Sequence, residues 1–289
     1  MPSAKTLKTY YGLTKPGIIR GNAITAAAGF FLAANGRVDV GLFIAMLAGL
    51  SLIIASGCVF NNYIDSDIDA RMDRTKNRAL VSGRVTGKNA LVYATVLGIF
   101  GSLILATMIN LLALYLALAG LFFYVVVYGF AKRRGAYGTL VGSISGAIPP
   151  LVGYGAVSGR LDLAALILFV ILVTWQMPHF YAIAMYRLDD YERAGIPVLP
   201  AAKGMSITKK RIIFYVQAYL FATLGLSVFG FTGYTYFALA TVLGVTWLWL
   251  ALRGIKARDD KKWAHLMFRF SLLALSLLCL TIYFDRLLP

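Results

Sequence analysis

Residues 40–60 read VGLFIAMLAGLSLIIASGCVF and contain no charged side chain. In a helix, about 20 apolar residues are enough to cross a hydrocarbon core about 30 Å thick. A second charge-free block, LLALYLALAGLFFYVVVYGFA, occupies residues 111–131. Continuous apolar runs of this length predict membrane-spanning helices, because membrane-spanning strands would instead show short alternating segments.

The composition agrees with this interpretation. Hydrophobic residues make up 60% of the 289 residues and charged residues only 14%, whereas soluble domains carry about 25% charged residues. Further apolar stretches lie at 17–34, 89–109, 138–157, 162–186, 212–229, 234–252 and 266–284. The sequence therefore predicts an all-α, polytopic integral membrane protein with about nine transmembrane helices. We expect one domain over residues 1–289, because no linker or low-complexity segment divides them.

The basic residues predict the orientation of the chain. If the N-terminus is cytoplasmic, the outer segments hold only Arg37, Arg160 and Arg286 of the 28 Lys and Arg residues. Cytoplasmic loops carry the excess of Lys and Arg in membrane proteins, so we expect a cytoplasmic N-terminus and an outer C-terminus. The N-terminus resembles neither a cleavable signal nor an import peptide, which favours a bacterial cytoplasmic membrane. The partner of the +16 net charge is then the lipid bilayer, and no nucleic acid is expected.

The longest hydrophilic stretch, FNNYIDSDIDARMDRTKNRALVSGR, covers residues 60–84, directly after the first apolar block. Asn61, Asp65 and Asp69 are spaced four residues apart, so on a helix they form one stripe. Carboxylates one turn apart repel each other unless a cation lies between them. Ligands that are all oxygen, together with phosphate oxygens, suit Mg²⁺. A solvated loop of interfacial ion pairs is the alternative, but such a loop does not need the stripe.

Two other segments on the predicted cytoplasmic side carry acidic and basic side chains. Within 175–200, Tyr186 lies one helical turn before Asp190, and within 125–138, Tyr128 lies one turn before Lys132 and Arg133. Carboxylates that hold a metal, with Lys and Arg nearby, are the groups that a diphosphate needs. The expected active-site segments, at one end of a central cavity open to the cytoplasm, are 61–88, 132–137 and 187–211.

His179 lies near the cytoplasmic end of the sixth predicted span, directly after Pro178. Proline inside a helix predicts a kink or a break, and Pro149 with Pro150 predicts another break. Polar residues at membrane depth usually face a cavity or a polar partner. Neutral imidazole is the usual protein ligand of haem iron, although a histidine that is only hydrogen-bonded inside the bundle is the alternative.

Several blocks of the sequence resemble a known family. The stretch NNYIDSDIDARMDRT (61–75) resembles the aspartate-rich first motif of the UbiA-like intramembrane prenyltransferases. The blocks that resemble its haem O synthase (protohaem IX farnesyltransferase) branch are YGFAKRR (128–134), GAIPPLVGY (146–154), WQMPHF (175–180) and DDYERAGIPVLPAAKG (189–204). The resemblance extends over residues 13–204. In one departure, Ala194 stands where the second motif of the superfamily has an aspartate.

The resemblance implies a reaction and a UbiA-like bundle. A farnesyl group would pass from farnesyl diphosphate to a vinyl group of haem b, with addition of water, to give haem O for haem–copper oxidase assembly. Haem A synthase or components of terminal oxidase assembly would be partners. The metal ligands implied for Mg²⁺ are Asn61, Asp65, Asp69 and Asp190, the three aspartates being catalytic.

The remaining implied roles concern the two substrates. The residues that would bind diphosphate are Asn62, Arg74, Arg78, Lys132 and Arg133. The ring faces of Tyr63, Tyr128 and Tyr186 would stabilise an allylic cation, and His179 would bind haem.

Two other functions remain open on the sequence. The first is the same chemistry on another acceptor, such as a quinone precursor or another tetrapyrrole. The second is a transporter for divalent cations or haem. A transporter predicts acidic residues at the bilayer midplane on broken helices, whereas the acidic residues of this chain cluster at one rim.

Overall fold

The computed structural model describes residues 4–285, with side chains from residue 6 onward, and every regular element in this part of the chain is helical. The helices of the first half are α1 (Ala4–Leu13), α2 (Pro16–Ala34), α3 (Val40–Ile64), α4 (Ser66–Asp69), α5 (Gly87–Ile104), α6 (Leu111–Phe122) and α7 (Tyr128–Arg134). Two π-helical turns, Leu105–Ile109 and Phe123–Val127, follow α5 and α6. The predicted outer residue Arg286 lies outside the described residues.

The second half continues in the same way. Its helices are α8 (Gly138–Gly146), α9 (Ile148–Ser158), α10 (Leu163–Tyr186), α11 (Leu188–Arg193), α12 (Leu199–Val228), α13 (Tyr234–Arg253) and α14 (Asp260–Asp285). In the described part of the chain, nine helical stretches are long and apolar enough to cross a membrane. The predicted all-α fold with nine spans is therefore confirmed.

The boundaries differ most in the last third of the chain. The span predicted at 212–229 begins at Leu199, and the span predicted at 266–284 begins at Asp260. In both cases polar residues continue the helix beyond its apolar part, where hydropathy gives no signal. The helix α12 also contains a kink at Gly204, whose φ of 81° is a conformation that glycine adopts at low cost.

The two predicted proline breaks have different outcomes. Pro149 and Pro150 occupy the first turn of α9, which is separated from α8 by Ala147 alone, so that break is confirmed. At Pro178 no break occurs, because α10 runs through it from Leu163 to Tyr186. Inside a bundle, neighbouring helices can support a helix across a proline, and α10 packs against α8, α12 and α14.

The interior of the described part of the chain contains two large apolar clusters and two smaller ones. One large cluster joins α10, α12, α13 and α14, with Trp247 and Met267 fully buried, and the other joins α2, α3, α6 and α9 around Phe30. Large apolar side chains such as Phe221 are exposed on the outside of the bundle. An apolar outer surface is the arrangement that a lipid-facing helix requires.

Glycines allow α2 and α9 to approach each other very closely. A Cβ atom added to Gly153 would lie 1.9 Å from the carbonyl oxygen of Ala26, and one added to Gly29 would lie 2.0 Å from that of Pro150. These two helices therefore touch backbone to backbone, which small residues make possible in membrane bundles. Their contact fixes the position of the N-terminal segment relative to the rest of the bundle.

We expect the Gly153→Ala variant to be less stable by about 1–3 kcal/mol, because the new methyl group would overlap a backbone carbonyl. Thermal unfolding of the detergent-purified protein measures this effect. The matched control is Gly225→Ala in α12, where a Cβ atom would lie 3.8 Å from Ile167 and the substitution only favours the helix. Equal unfolding temperatures for the two variants would contradict the close contact.

Candidate active site

The aspartate stripe begins at the end of α3 and is buried. The helix ends at Ile64, and the Asp65 N–H still donates to the Asn61 carbonyl at 2.9 Å, so the helical path continues into α4. The side chains of Asn61, Asp65 and Asp69 are only 4–8% exposed. The Asn61 side-chain amide donates to Asp65 Oδ2 at 2.8 Å. A solvated loop would expose these carboxylates, so the structure favours the stripe as a site.

Lys132 is the principal counter-ion of Asp65. Its ammonium group contacts Asp65 Oδ2 directly, and both side chains are buried. The other oxygen, Asp65 Oδ1, is buried without a hydrogen bond among the described residues. Arg133 Nη2 lies 3.7 Å from this oxygen, too far for a hydrogen bond. Asp65 Oδ1 is therefore available as a ligand for a hard cation.

Arg78 binds the second carboxylate of the stripe. Its Nη1 lies 2.5 Å from Asp69 Oδ2 and 3.3 Å from the Asn62 side-chain oxygen. The Thr75 hydroxyl donates to the Asp69 carbonyl at 2.9 Å, which folds the loop back over the stripe. Arg78 therefore connects two of the predicted site residues.

Lys15 is a further cation beside the stripe, and it was not predicted as a site residue. Lys15 Nζ donates to the Asn61 side-chain oxygen at 2.7 Å. Burial, followed by the positive charge of Arg78, lowers the pKa of Lys15 to about 8. The Asn62 amide donates to the Leu13 carbonyl at 2.8 Å, which holds this segment against α3. In the sequence, Lys15 stands in the stretch LTKP (13–16), at the start of the region of family resemblance, and this local stretch does not reveal where the lysine side chain lies.

Asp190 belongs to a separate group of ion pairs. Arg193 contacts Asp190 at 2.6 Å and Asp73 at 2.9 Å, and Arg187 lies 3.8 Å from Asp190. The segments themselves meet, because Ile68 and Met72 pack in one cluster with Ala194. Arg193, which was not predicted as a site residue either, thus links α11 to the loop after α4.

The predicted metal ligands are not gathered into one cluster. Within residues 4–285, no group of three or more His, Cys, Asp or Glu side chains lies close enough together to hold a metal ion. Each carboxylate is paired with a cation instead: Asp65 with Lys132, Asp69 with Arg78, and Asp190 with Arg193. Like-charged carboxylates repel, so pairing with Lys or Arg is the arrangement favoured by this chain's own side chains.

Oxygen ligands for a divalent cation are nevertheless present in part. Asp65 Oδ1 has no hydrogen-bond partner, and Asn61 provides a neutral oxygen one helical turn away. Mg²⁺ usually takes one or two protein carboxylates, and substrate phosphates and water supply the rest of its ligands. The chemistry of Asn61, Asp65 and Asp69 therefore fits a magnesium ion that binds together with phosphate.

The two other predicted diphosphate-binding cations are more exposed. Arg133 donates to both carboxylate oxygens of Asp67 at 2.8 Å and to the Ile64 carbonyl at 2.9 Å. These hydrogen bonds hold the pKa of the Asp67 carboxyl below its usual range. Arg74 is exposed on the loop after α4. Neither side chain contacts the buried carboxylate of Asp69.

The three predicted tyrosines occupy different surroundings. Tyr128 is nearest to the stripe, because Lys132 Nζ lies 5.1 Å from its ring centre. Tyr63 is 42% exposed and lies over Gly87 at the start of α5. Tyr186 stacks on His265 with ring centres 4.0 Å apart. The structure thus brings only Tyr128 close to the Asp65–Lys132 pair.

His179 is buried between α10 and α14. Its ring stacks on Trp175 at 4.7 Å, and its Nδ1 lies 2.7 Å from the Ser271 hydroxyl oxygen. The Ser271 hydroxyl itself donates to the Phe268 carbonyl at 2.7 Å, so its oxygen accepts a hydrogen bond from Nδ1–H. Nε2 then carries the free lone pair, as in a histidine that binds a metal through Nε2.

Comparison with known proteins agrees with the motifs. A model of the UbiA prenyltransferase family matches residues 22–273. A protein named protoheme IX farnesyltransferase from Yersinia enterocolitica is 51% identical over 98% of this chain and 96% of its own length. A protein of the same name from Sodalis glossinidius is 52% identical with the same coverage. The resemblance predicted from the sequence blocks is confirmed.

Solved structures share the fold at low sequence identity. A digeranylgeranylglyceryl phosphate synthase structure superposes with a TM-score of 0.80, 19% identity and coverage of 97% of this chain and 98% of the other. A UbiA homologue from Archaeoglobus fulgidus, bound to DMAPP and Mg²⁺, has a TM-score of 0.73 at 14% identity and covers 95% and 99%. The family model spans most of the chain, relatives more than half identical cover nearly all of it, and the chain therefore belongs to the UbiA prenyltransferase family.

Proposed function

We propose that this prenyltransferase moves the farnesyl group of farnesyl diphosphate to a vinyl group of haem b, with addition of water, to give haem O and diphosphate. The relatives named protoheme IX farnesyltransferase support the acceptor and the donor. The single observation of the site that carries the proposal is its excess of positive charge. Three cations, Lys15, Arg78 and Lys132, surround the two buried carboxylates Asp65 and Asp69. The excess positive charge of such a site would attract a polyanion.

In the proposed reaction the bond between farnesyl C1 and the diphosphate oxygen breaks, and its electron pair leaves with diphosphate. The vinyl π electrons form the new carbon–carbon bond with the allylic cation. Water then adds to the cation next to the porphyrin and loses a proton, which gives a hydroxyethylfarnesyl group. Magnesium would supply positive charge that stabilises the departing diphosphate. A structure of a UbiA homologue bound to DMAPP and Mg²⁺ supports this role.

The residues of this chain would act mainly through charge that is in place before the reaction. Lys132 and Arg78, held by Asp65 and Asp69, would donate hydrogen bonds to diphosphate oxygens as charge develops there. Asn61, Asp65 and Asp69 would hold the metal, and Asp190 would join them through the packed loop of α11. The ring of Tyr128, next to Lys132, would face the allylic cation.

The other predicted site residues would assist the same reaction. Asn62, Arg74 and Arg133 would assist in diphosphate binding, and Tyr63 and Tyr186 would line the substrate pocket. The whole chain acts as one domain, with the segments 61–88, 132–137 and 187–211 on the cytoplasmic side of a bacterial cell membrane. The charge distribution supports this orientation. Haem O would pass to haem A synthase or to terminal oxidase assembly.

Replacing one carboxylate tests the site. We expect Asp65→Asn and Asp69→Asn each to lower turnover at least about a hundredfold. Each variant loses a carboxylate that would hold the metal and the cations in place around the departing diphosphate. The assay follows labelled farnesyl diphosphate with haem b and Mg²⁺, and size-exclusion profiles verify folding. Asp189→Asn is the matched control, since Asp189 is an exposed carboxylate at the same end of the bundle. Full activity of both site variants would refute the assignment.

The identity of the acceptor is tested by mass spectrometry of the product. Incubation of the membranes with haem b, farnesyl diphosphate and Mg²⁺ should give a product heavier than haem b by a farnesyl group plus water. Boiled membranes provide the control. Unchanged haem b, together with prenylation of an added quinone precursor, would show that the acceptor belongs to another class.

Haem binding by His179 is tested by absorption spectroscopy. Titration of detergent-purified protein with haem b should give a Soret shift that His179→Ala abolishes, whereas Ser271→Ala should weaken haem affinity about tenfold, because Nδ1 loses its acceptor. The only other histidine of the chain is His265, so His265→Ala is the matched control. A Soret shift that depends on His265 and not on His179 would overturn this role.

A further inference from the structure

A basic cavity lies near the start of α14, away from the aspartate stripe. It has a volume of about 330 Å³ and is lined by Lys262, His265, Leu266 and Arg269. These residues are three and four positions apart, so they lie on one face of the helix, and all four are exposed. None of the lining residues, all within the described part of the chain, is acidic. The cavity therefore offers positive charge to a ligand from outside the protein.

Arg269 is the cation of this cavity that the protein leaves without a counter-ion. The acidic residues at the start of α14 pair with other side chains in the described chain, Asp260 with Lys209 and Asp259 with Lys262. The second pair is 3.7 Å apart and both partners are exposed, so it contributes little. Arg269 also lies within the apolar stretch 266–284. An arginine in a membrane-spanning segment is costly and usually has a functional partner.

A row of aromatic rings connects this cavity with His179. His265, in the wall of the cavity, stacks on Tyr186 with ring centres 4.0 Å apart and planes 18° apart. The Tyr186 ring contacts Phe268 at 5.7 Å, and Phe268 lies 5.0 Å from the His179 ring. The row thus follows the interface of α10 and α14 from the basic cavity to the histidine whose Nε2 carries a free lone pair.

The combination of aromatic rings and separate cations indicates the class of ligand. Flat aromatic rings pack well against another flat ring system, and Lys and Arg side chains bind carboxylates. A lipid headgroup would use the cations but not the stacked rings. A tetrapyrrole with carboxylate side chains uses both, because its macrocycle is flat and its carboxylates stand at one edge.

The spacing along α14 suits haem b. His265 precedes Ser271, the hydrogen-bond partner of His179, by about 9 Å along the helix axis. The propionate carboxylates of haem b stand a comparable distance from its iron. A haem b whose iron is bound at His179 could therefore reach the basic cavity with its propionates.

We propose that Lys262 and Arg269 bind the propionate carboxylates of the haem b acceptor and that Tyr186 and His265 form the wall beside its macrocycle, an assignment that rests on the proposed prenyl transfer. The vinyl groups of haem b are attached to the half of the macrocycle opposite the propionates. Binding of the propionates at α14 therefore turns the reacting vinyl groups away from this helix. The basic cavity acts as a positioning site for the acceptor.

The test is the binding of protoporphyrin IX, which has the carboxylates of haem b but no iron, to the full-length protein in phosphatidylcholine nanodiscs. Porphyrin fluorescence measures the affinity. We expect Arg269→Gln to weaken binding about tenfold to a hundredfold, since one charged hydrogen-bond donor is lost, and Lys262→Gln to weaken it less. Lys261→Gln is the matched control, because it removes an exposed lysine of the same helix that does not line the cavity.

The dimethyl ester of protoporphyrin IX separates carboxylate binding from a general effect on the protein. The ester should bind the unaltered protein more weakly than the free acid does, and Arg269→Gln should not change its affinity. Equal weakening of acid and ester by Arg269→Gln would overturn the proposal, as would unaltered acid binding by both Arg269→Gln and Lys262→Gln. Unaltered acid binding together with lost retention of phosphatidylglycerol would show that the cavity binds lipid headgroups instead.

The turnover assay distinguishes this site from the proposed reaction. Arg269→Gln should raise the KM for haem b about tenfold and leave the KM for farnesyl diphosphate unchanged. The Soret shift at saturating haem b should persist in this variant, because His179 is intact. Failure to form haem O while porphyrin binding depends on Arg269 would refute the reaction and retain the carboxylate site. Formation of haem O with a KM for haem b that Arg269→Gln does not change would retain the reaction and refute the site.

Discussion

The buried contact between Asp65 and Lys132 is the interaction on which the rest of the site depends. The two residues are 67 positions apart in the chain, and both side chains are withdrawn from water. An isolated buried charge costs several kcal/mol, whereas a paired and hydrogen-bonded one is tolerated. The pair therefore fixes how the end of α3 meets α7, and it keeps one carboxylate oxygen of Asp65 buried without a hydrogen bond.

Around this pair, the protein maintains more positive than negative charge. Lys15 and Arg78 add two cations on the side of α1, and the Arg193 pairs tie the loop of Asp190 to the loop of Asp73. Charge that is fixed before a reaction does not need to reorganise during it, and for this reason it stabilises a departing anion well. The same residues explain how a membrane protein can keep carboxylates buried close to its apolar spans.

The apolar bundle has a direct part in building this site. Close backbone packing between α2 and α9, which Gly29 and Gly153 permit, fixes the position of α2. The residue just before α2 is Lys15, so a packing contact deep in the bundle sets the direction from which this ammonium group reaches Asn61. In a similar way, α14 contributes Ser271, whose hydroxyl selects which nitrogen of His179 carries the proton.

The sequence by itself determined the elements of this protein. Nine spans could be predicted because hydropathy and helix length are local properties, and the Asn61–Asp65–Asp69 stripe followed from helical periodicity.

Only the tertiary structure decided which cation meets which carboxylate. Of the neighbours Lys132 and Arg133, the first contacts Asp65 most closely and the second is directed mainly to Asp67. Such choices depend on the rotation of each helix about its own axis and on contacts between residues far apart in the chain. For the same reason the pairing of Asp190 with Arg193, the role of Lys15 and the unbroken helix at Pro178 had no reliable signal in the sequence.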